Sequence, residues 1–221
     1  MAMKVIIFGN REYASLTWYM LTHDSPHEVV GFTVDNAYVT ESVRHGLPVI
    51  AFEEVEKHFP PETIAMIAPL GAQNLNRLRE EKHHAGKAKG YRFISYVSSR
   101  ALIWPDLTIG ENCVVSEASI VQPFAKLGNS VVLSPGSHVG HHVEVGDNCF
   151  LSGDACIGGT AKIGERCFLG LNSTIRNGIT VSSRCFVAAG AVVTADTEQN
   201  GIYVGVPAKR RSEPADSITT F

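Results

Sequence analysis

Two adjacent histidines, His141 and His142, are the residues of this sequence whose surroundings are best suited to chemistry. A neutral imidazole can accept a proton near neutral pH, so these rings are candidates for a general base. The residues 18 positions further on are Gly159 and Thr160, and Gly158 precedes them. If the chain repeats every 18 residues, a groove almost without side chains lies above the histidines. This arrangement favours a base beside an extended ligand. The alternative is a pair of solvated turn histidines.

The chemistry open to this base is narrowed by what the sequence lacks. It contains no Gly-x-Ser-x-Gly nucleophile elbow, no evident carboxylate pair and no Cys-x-x-Cys pair. A Ser/His/Asp hydrolase and a zinc site are therefore not expected. Without a protein nucleophile, the natural reaction is direct attack of a substrate amine or hydroxyl on an activated acyl group, with His141 taking the proton.

A strict six-residue repeat must position these histidines. Neither the 3.6-residue period of a helix nor the 2.0-residue period of a strand produces such a repeat. A hexapeptide repeat predicts a parallel β-helix of short strands, three to a coil, so that residues 18 apart stack above one another. The aliphatic anchors of the repeat are Val97, Ile103, Ile109, Val115, Val121, Leu127, Leu133, Val139, Val145, Leu151, Ile157, Ile163, Leu169, Ile175, Val181, Val187 and Val193.

The fifth position of the hexad favours small residues and accounts for four of the five cysteines. Cys113, Cys149, Cys167 and Cys185 occupy it, and alanine or serine fills it in most of the other hexads. On a strand this position turns inward together with the anchor. We therefore expect four free thiols in the core, where cysteine behaves as a small hydrophobe, rather than disulfides or metal ligands.

The sixth position turns outward and sorts into three columns, one on each face of the β-helix. One column is a solvated wall of threonines and charges of alternating sign, one is mixed, and the third is apolar and aromatic. A monomer does not normally expose an apolar ladder, so we expect it to pack against a partner in a ring of identical subunits, most simply a trimer. The alternative is that the amino-terminal domain of the same chain covers it. The ladder consists of Val114, Val132, Phe150, Phe168 and Phe186.

Residues 1–90 alternate apolar strands with helices and predict an α/β domain with a small Rossmann-like parallel sheet. A linker at 91–96 joins it to the β-helix at 97–198, and a tail follows at 199–221. Ligands of such sheets bind beyond the carboxyl ends of the strands, which here points to residues 9–13, 35–36 and 71–74. The first loop has one glycine where the dinucleotide fingerprint has three, so NAD binding is not predicted.

Composition narrows the partners of the chain. The 221 residues are 44% hydrophobic and 19% charged, as in an ordinary globular protein. A net charge of −3 predicts no electrostatic attraction to nucleic acid or to an anionic membrane. No apolar run approaches the roughly 20 residues of a membrane span, and the first residues do not read as a signal peptide. A cytoplasmic protein is expected.

Five segments carry a resemblance to a known family. The hexad 163–168 (IGERCF) and the segment 203–209 (YVGVPAK) are similar to the left-handed β-helix, or hexapeptide-repeat, acyltransferases. Residues 4–9 (KVIIFG), 30–35 (VGFTVD) and 46–49 (GLPV) resemble the sugar-nucleotide-binding domain of the NeuD/PglD-like sugar acetyltransferase subfamily. The resemblance covers nearly the whole chain.

The resemblance implies an α/β domain followed by a left-handed parallel β-helix. It further implies a cytoplasmic homotrimer that works in polysaccharide biosynthesis and holds acetyl-CoA between neighbouring β-helices. The implied reaction is acetyl-CoA-dependent N-acetylation of the amino group of a nucleotide-linked amino sugar, of the 4-amino-4,6-dideoxy type. Two alternatives remain open: a sugar O-acetyltransferase of the sialic acid type, and a non-enzymatic trimeric scaffold or sugar-nucleotide sensor.

The resemblance also assigns roles to single residues. It makes His141 the catalytic base of a Val-x-His-x motif, and it places His142 where the family commonly has Asp or Glu to orient that base. The implied coenzyme-binding residues are Phe150, Gly159, Asn177, Lys209 and Arg210. The implied substrate-binding residues are Gly9, Arg11, Glu12, Tyr13, Asp35 and Gly71.

Overall fold

The amino-terminal residues form a five-stranded sheet flanked by helices. The computed structural model describes residues 2–219. The sheet has the order β3-β4-β2-β1-β5, and all of its pairs are parallel except the short antiparallel pair of β3 and β4. The predicted alternation of strands and helices is therefore confirmed. The elements are β1 (Lys4–Phe8), α1 (Glu12–Asp24), β2 (Glu28–Val34), β3 (Val43–Arg44), β4 (Leu47–Ala51), α2 (Val55–His58), β5 (Ile64–Ile67) and α3 (Arg77–Ala88).

The last helix begins later than the polar sequence around it indicates. Helical residues are expected from Gln73 onward, but α3 starts at Arg77. Asn74, Leu75 and Asn76 have φ angles of 50°, 50° and 66°, which lie in the left-handed region and exclude a right-handed helix. No helix among residues 2–219 combines the length and the apolar character needed to cross a bilayer.

The hexads form a β-helix of two-residue strands, and residues 18 apart pair in parallel register. The strands lie on three faces, which we call the domain-facing face (β6, β9, β12, β15, β18, β21), the histidine face (β7, β10, β13, β16, β19, β22) and the charged face (β8, β11, β14, β17, β20). In chain order, β6 to β22 are Tyr96–Val97, Leu102–Ile103, Thr108–Ile109, Val114–Val115, Ile120–Val121, Lys126–Leu127, Val132–Leu133, His138–Val139, Glu144–Val145, Phe150–Leu151, Cys156–Ile157, Lys162–Ile163, Phe168–Leu169, Thr174–Ile175, Thr180–Val181, Phe186–Val187 and Val192–Val193.

From Asn112 to Gly190, each corner of the β-helix is a turn with one residue in the left-handed conformation. The fourth residue of every hexad from Asn112 to Gly190 has a positive φ, and among them are Ala118 (57°), His142 (57°) and Thr160 (61°). A positive φ at one central position is typical of a type II turn, and here the turn carries the chain from one face of the β-helix to the next. The repeat therefore fixes the corners as well as the faces.

The fifth-position cysteines lie in the core of the β-helix, as the hexad pattern predicts. Cys113, Cys149, Cys167 and Cys185 are free and fully buried. The thiol of Cys149 donates to the carbonyl oxygen of Gly164 at 3.0 Å, and the other three make equivalent contacts with carbonyls of the next turn. Burial raises the pKa of Cys113 to about 11 and also raises the pKa of Cys167 and Cys185. These thiols are packing groups and not nucleophiles.

The apolar ladder, which was expected to pack against another subunit, packs largely against the amino-terminal sheet of its own chain. Val114, Val132 and Phe150 are buried, and they belong to one hydrophobic cluster with Val5 and Ile7 of the amino-terminal sheet. The prediction that these three pack against another subunit is therefore wrong, and the stated alternative is right. The amino-terminal sheet has an apolar face of its own, and burying the two faces together removes both from water within one chain.

The chain ends in a hairpin that continues the domain-facing face. Strand β23 (Gly201–Val204) pairs in parallel with β21, and β24 (Lys209–Pro214) pairs antiparallel with β23. Just before β24, the backbone N–H of Ala208 donates to the carbonyl oxygen of Val192 at 2.8 Å. The loop of the hairpin therefore crosses the end of the histidine face.

Candidate active site

His141 and His142 lie at the corner that follows the histidine face. The corner is held by the coil below and the coil above it. The backbone N–H of His141 donates to Oε1 of Gln122 at 2.9 Å, and that of His142 donates to the carbonyl oxygen of Pro123 at 3.2 Å. The N–H of Thr160 donates to the carbonyl oxygen of His141 at 2.8 Å. The main chain at the two histidines is thus fixed although both side chains are exposed.

The ring of His141 lies against Gly159, one coil further on. A β-carbon added to Gly159 would lie 2.4 Å from Nε2 of His141, 2.7 Å from Cε1 and 2.9 Å from Cδ2. No side chain fits at residue 159 while the ring keeps this position. The stacking of a glycine above this histidine was predicted from the 18-residue period. Nε2 therefore lies against the main chain of Gly159, where the sequence predicts the groove.

The two histidine rings contact each other through their Nδ1 atoms. Nδ1 of His141 lies 3.2 Å from Nδ1 of His142, and the rings are nearly perpendicular, with an interplanar angle of 85°. The ring of His142 also packs on Phe124, with 4.6 Å between the ring centroids. Nδ1 of His141 is therefore engaged by a neighbour, whereas Nε2 faces the groove.

Three of the predicted coenzyme-binding residues lie further along the β-helix. Asn177 is one coil beyond Gly159, and its Oδ1 would lie 2.1 Å from a β-carbon at Gly158, so its carboxamide rests on another glycine. Lys209 and Arg210 are exposed at the start of β24, where the hairpin crosses the end of the histidine face. Arg210 lies 3.6 Å from a carboxylate oxygen of Glu198.

Phe150 has a different environment from the other predicted coenzyme-binding residues. It lies on the domain-facing face, whereas His141 lies at the corner after the histidine face. Its ring meets the ring of Tyr13 edge-on at 6.2 Å between centroids and lies 5.7 Å from the guanidinium carbon of Arg79. The structure places Phe150 beside the amino-terminal domain of its own chain and not beside His141.

The carboxyl end of the amino-terminal sheet opens into a cavity of about 670 Å³ against the β-helix. Tyr13, Gly71, Phe150 and Asp154 are among the residues that line it. A second cavity of about 270 Å³ adjoins it, and Glu12 and Tyr13 contribute to its wall. Burial raises the pKa of Tyr13, so its hydroxyl stays protonated and can donate a hydrogen bond. The structure therefore brings three predicted substrate-binding residues together at one concave surface.

The other three predicted substrate-binding residues lie around the ends of β1 and β2. Gly9 has a φ of 127°, which favours glycine, and its N–H donates to the carbonyl oxygen of Thr33 at 2.7 Å. Arg11 is exposed just before α1. Asp35 forms an ion pair with Lys82 at 2.7 Å. A ligand that bound Asp35 would therefore compete with Lys82.

A buried arginine that the sequence did not reveal supports the Gly71 loop. Arg79 is completely buried, and it donates hydrogen bonds to the carbonyl oxygens of Leu70 and Gly71 and to three carbonyls of the β-helix. Burial lowers the pKa of Arg79 to about 10, which still leaves it charged at neutral pH. In sequence it stands within a charged helix and gives no signal of burial. Its contacts hold the cavity wall against the β-helix.

His83 is a second residue whose position differs from the expectation. Its polar neighbours predict a surface residue, but the side chain is buried between α3 and the β-helix. Nδ1 lies 3.1 Å from the hydroxyl of Ser130, and Nε2 lies 3.3 Å from a carboxylate oxygen of Glu111. Burial lowers the pKa of His83, an effect that Glu111 partly opposes. The helix turns this histidine toward the β-helix, and local composition does not encode that direction.

Two consecutive stretches of the β-helix match known families of hexapeptide repeats. Residues 124–159 match the family described as bacterial transferase hexapeptide (six repeats), and residues 160–195 match the family described as hexapeptide repeat of succinyl-transferase. A search among curated proteins found no significant match.

Solved structures resemble nearly the whole chain. A histidine-to-asparagine mutant of perosamine N-acetyltransferase from Caulobacter crescentus, in complex with CoA and GDP-perosamine, is 23% identical over 95% of this chain and 97% of that chain, with a TM-score of 0.86. The acetyltransferase domain of PglB from Neisseria gonorrhoeae is 23% identical over 94% and 99%, with a TM-score of 0.85. The same domain in complex with acetyl coenzyme A is 22% identical over 96% and 100%, with a TM-score of 0.82. The chain therefore has the fold of these proteins, an α/β domain followed by a left-handed β-helix built of hexapeptide repeats.

Proposed function

We propose that this protein is an acetyl-CoA-dependent N-acetyltransferase that acts on the amino group of a nucleotide-linked amino sugar of the 4-amino-4,6-dideoxy type. The observation that carries the proposal is the position of His141, whose Nε2 lies so close to Gly159 that no side chain at residue 159 would fit beside it. A base beside main chain without side chains leaves room for a long, thin acyl donor to lie along the corner.

In the proposed reaction, the amine nitrogen of the sugar attacks the thioester carbonyl of acetyl-CoA directly. Nε2 of His141 takes a proton from the attacking nitrogen. The new C–N bond forms, the C–S bond breaks, and the coenzyme leaves as its thiolate, which recovers a proton. A backbone N–H near Gly159 stabilises the negative oxygen of the intermediate.

The coenzyme is proposed to run along the corner of the β-helix. The groove at Gly159 holds the thioester, Asn177 meets the pantetheine arm one coil further, and Lys209 and Arg210 at the crossing of the hairpin meet the phosphates. Similar structures that contain CoA or acetyl coenzyme A support a coenzyme of this class.

The enzyme is proposed to be a cytoplasmic homotrimer with the coenzyme between neighbouring β-helices. The apolar ladder is covered by the amino-terminal domain of the same chain and therefore gives no support to a trimer. Other apolar side chains are free to form an interface: Leu102 on the histidine face, and Trp104 and Phe124 at its corner, are more than half exposed. Association through this face removes these side chains from water. Phe150 and His141 lie on different parts of one chain, so Phe150 belongs to the proposed coenzyme site only where two subunits meet.

The nucleotide sugar is proposed to bind in the 670 Å³ cavity between the amino-terminal sheet and the β-helix. Because this cavity and His141 lie at different corners of one chain, the sugar is proposed to meet His141 of a neighbouring subunit in the trimer. The loop from Gly9 to Tyr13, Asp35 and Gly71 surround the strand ends where parallel sheets bind ligands. The relative that contains GDP-perosamine supports this class of acceptor. The enzyme is proposed to serve polysaccharide biosynthesis, which uses such sugars.

The test is acetyl transfer from acetyl-CoA to a panel of GDP-, UDP- and dTDP-linked 4-amino sugars, followed by release of the coenzyme thiol. His141→Asn is expected to lower turnover about 10²–10⁴-fold while calorimetry still detects coenzyme binding. Near-wild-type turnover in that variant contradicts the assignment of the base. Turnover restricted to the matched hydroxyl sugars identifies an O-acetyltransferase instead. Absence of acetyl-CoA binding identifies a scaffold or sensor.

A further inference from the structure

The contact between His141 and His142 restricts which ring nitrogens can carry a hydrogen. Both Nδ1 atoms lie within hydrogen-bond distance, at 3.2 Å, and a hydrogen bond between them requires a hydrogen on one and a lone pair on the other. Two neutral imidazoles can satisfy this in two ways. Either His141 donates to His142, or His142 donates to His141.

The two arrangements differ at the atom that faces the groove. If Nδ1 of His141 carries the hydrogen, its Nε2, which lies beside Gly159, has a free lone pair and can accept a proton. If His142 is the donor, neutral His141 carries its hydrogen on Nε2 and cannot act as a base there. Only the first arrangement is compatible with the proposed function.

We propose that His142 is a positioning residue, whose Nδ1 accepts a hydrogen bond from Nδ1 of His141 and thereby keeps the lone pair of His141 on Nε2. The proposal rests on the proposed function of His141 as the base. His142 orients His141 as a neutral acceptor, with no carboxylate in the pair.

The placement of His142 is built into the corner and does not depend on the ligand. Its φ of 57° lies in the left-handed region, and its N–H donates to the carbonyl oxygen of Pro123 at 3.2 Å. Its ring packs on the ring of Phe124, one coil below. Phe124 is itself anchored, because its backbone N–H donates to Oδ2 of Asp106 at 3.0 Å. This stack of three coils gives the exposed Phe124 a role, which is to hold the acceptor ring in place.

Proton transfer leaves the pair in a stable state. When Nε2 of His141 takes the proton from the substrate amine, His141 becomes an imidazolium whose Nδ1–H still points at the lone pair of His142. A hydrogen bond from a charged donor is stronger than one between neutral groups. The bond therefore strengthens as the reaction proceeds.

The kinetic test compares three variants of His142. Asparagine keeps a neutral acceptor oxygen and suits the left-handed backbone, leucine is of similar size and has no acceptor, and glycine has no acceptor but relieves the backbone. We expect His142→Leu and His142→Gly to lower kcat about 10–100-fold with the KM for acetyl-CoA unchanged, and His142→Asn to restore most of the loss. Equal kcat in the asparagine, leucine and glycine variants overturns the proposal. So does a loss that follows only the thermal stability of the variants.

A second test does not depend on the reaction. In protein labelled with ¹⁵N-histidine at mildly alkaline pH, with His141→Asn to assign the signals, we expect His141 to be protonated at Nδ1 and unprotonated at Nε2. In His142→Leu this preference is lost, and in His142→Asn it returns. A hydrogen on Nε2 of His141 in the wild-type protein overturns the proposal. Because this readout needs no substrate, failure of acetyl transfer and failure of the positioning role are distinguishable.

Discussion

Replacing Gly159 with alanine tests the geometry of the site at its narrowest point. The backbone of Gly159 is not in the left-handed region, so alanine is conformationally acceptable there. The added methyl group would lie 2.4 Å from Nε2 of His141, and an ordinary contact requires about 3.4 Å. The ring is exposed and can move, so we expect the protein to fold with unchanged or slightly higher stability.

The expected loss of activity follows from the size of that movement. The ring must retreat by about 1 Å, and a misplacement of about 1 Å at a reacting group costs about 10²-fold in rate. This corresponds to about 2.7 kcal/mol of transition-state stabilisation. We therefore expect Gly159→Ala to lower kcat about 100-fold while its melting temperature stays within about 2 °C of the wild type.

The assay is steady-state acetyl transfer combined with a double-mutant cycle. With His141→Ala as the second change, the ring that clashes is absent, so adding Gly159→Ala should cost little more. Strictly additive losses in the double variant would refute the claim that alanine acts through His141. A drop in the melting temperature that accounts for the lost activity would refute it as well.

Three further predictions concern stability. Arg79→Leu leaves buried carbonyl oxygens without a donor and should lower the free energy of unfolding in urea by about 3 kcal/mol or more. Because burial lowers the pKa of His83 in the folded state, the unfolded chain binds that proton more tightly, so the contribution of His83 is complete above about pH 6.5 and is lost as the pH falls below it. When the pH is lowered from about 8 to about 5, the melting temperature of His83→Gln should therefore fall less than that of the wild type. An equal fall in both proteins would contradict the lowered pKa of His83. Ala118→Gly should raise the free energy of unfolding by about 0.5–1 kcal/mol because the backbone of Ala118 is left-handed. Ala189 is the third residue of its hexad, at another corner, and has an ordinary φ, so Ala189→Gly should lower the free energy of unfolding by a similar amount.

Most of the β-helix could be predicted because its repeat is local and strict. An anchor every six residues fixes which side chains turn inward, and an 18-residue coil fixes which residues stack. The inward positions of Cys149 and Cys167 and the stacking of Gly159 on His141 follow from counting alone. The sequence alone also indicates the strands Lys4–Phe8 and Glu28–Val34, because each is a short apolar run that ends at turn residues.

The contacts between the two parts of the chain could not be predicted in the same way. A ladder such as Val132 and Phe150 has the same composition whether a second subunit or the amino-terminal sheet covers it. Arg79 and His83 stand in a charged helix, and their burial depends on which side of α3 meets the β-helix. The contact between Nδ1 of His141 and Nδ1 of His142 depends on side-chain rotamers, which the spacing of residues does not determine.

The 18-residue distance between His141 and Gly159 also limits how the length of this chain can change. One residue inserted between them would turn the anchors outward and move the glycine away from the ring, because side chains on a strand alternate in direction. Eighteen inserted residues would restore every strand pairing, but they would place a new coil between the histidine and its glycine. The β-helix can therefore lengthen only in whole coils, and only outside this interval. The distance from His141 to Gly159 is thus a fixed unit of the molecule, whereas the number of coils on either side of it is free to vary.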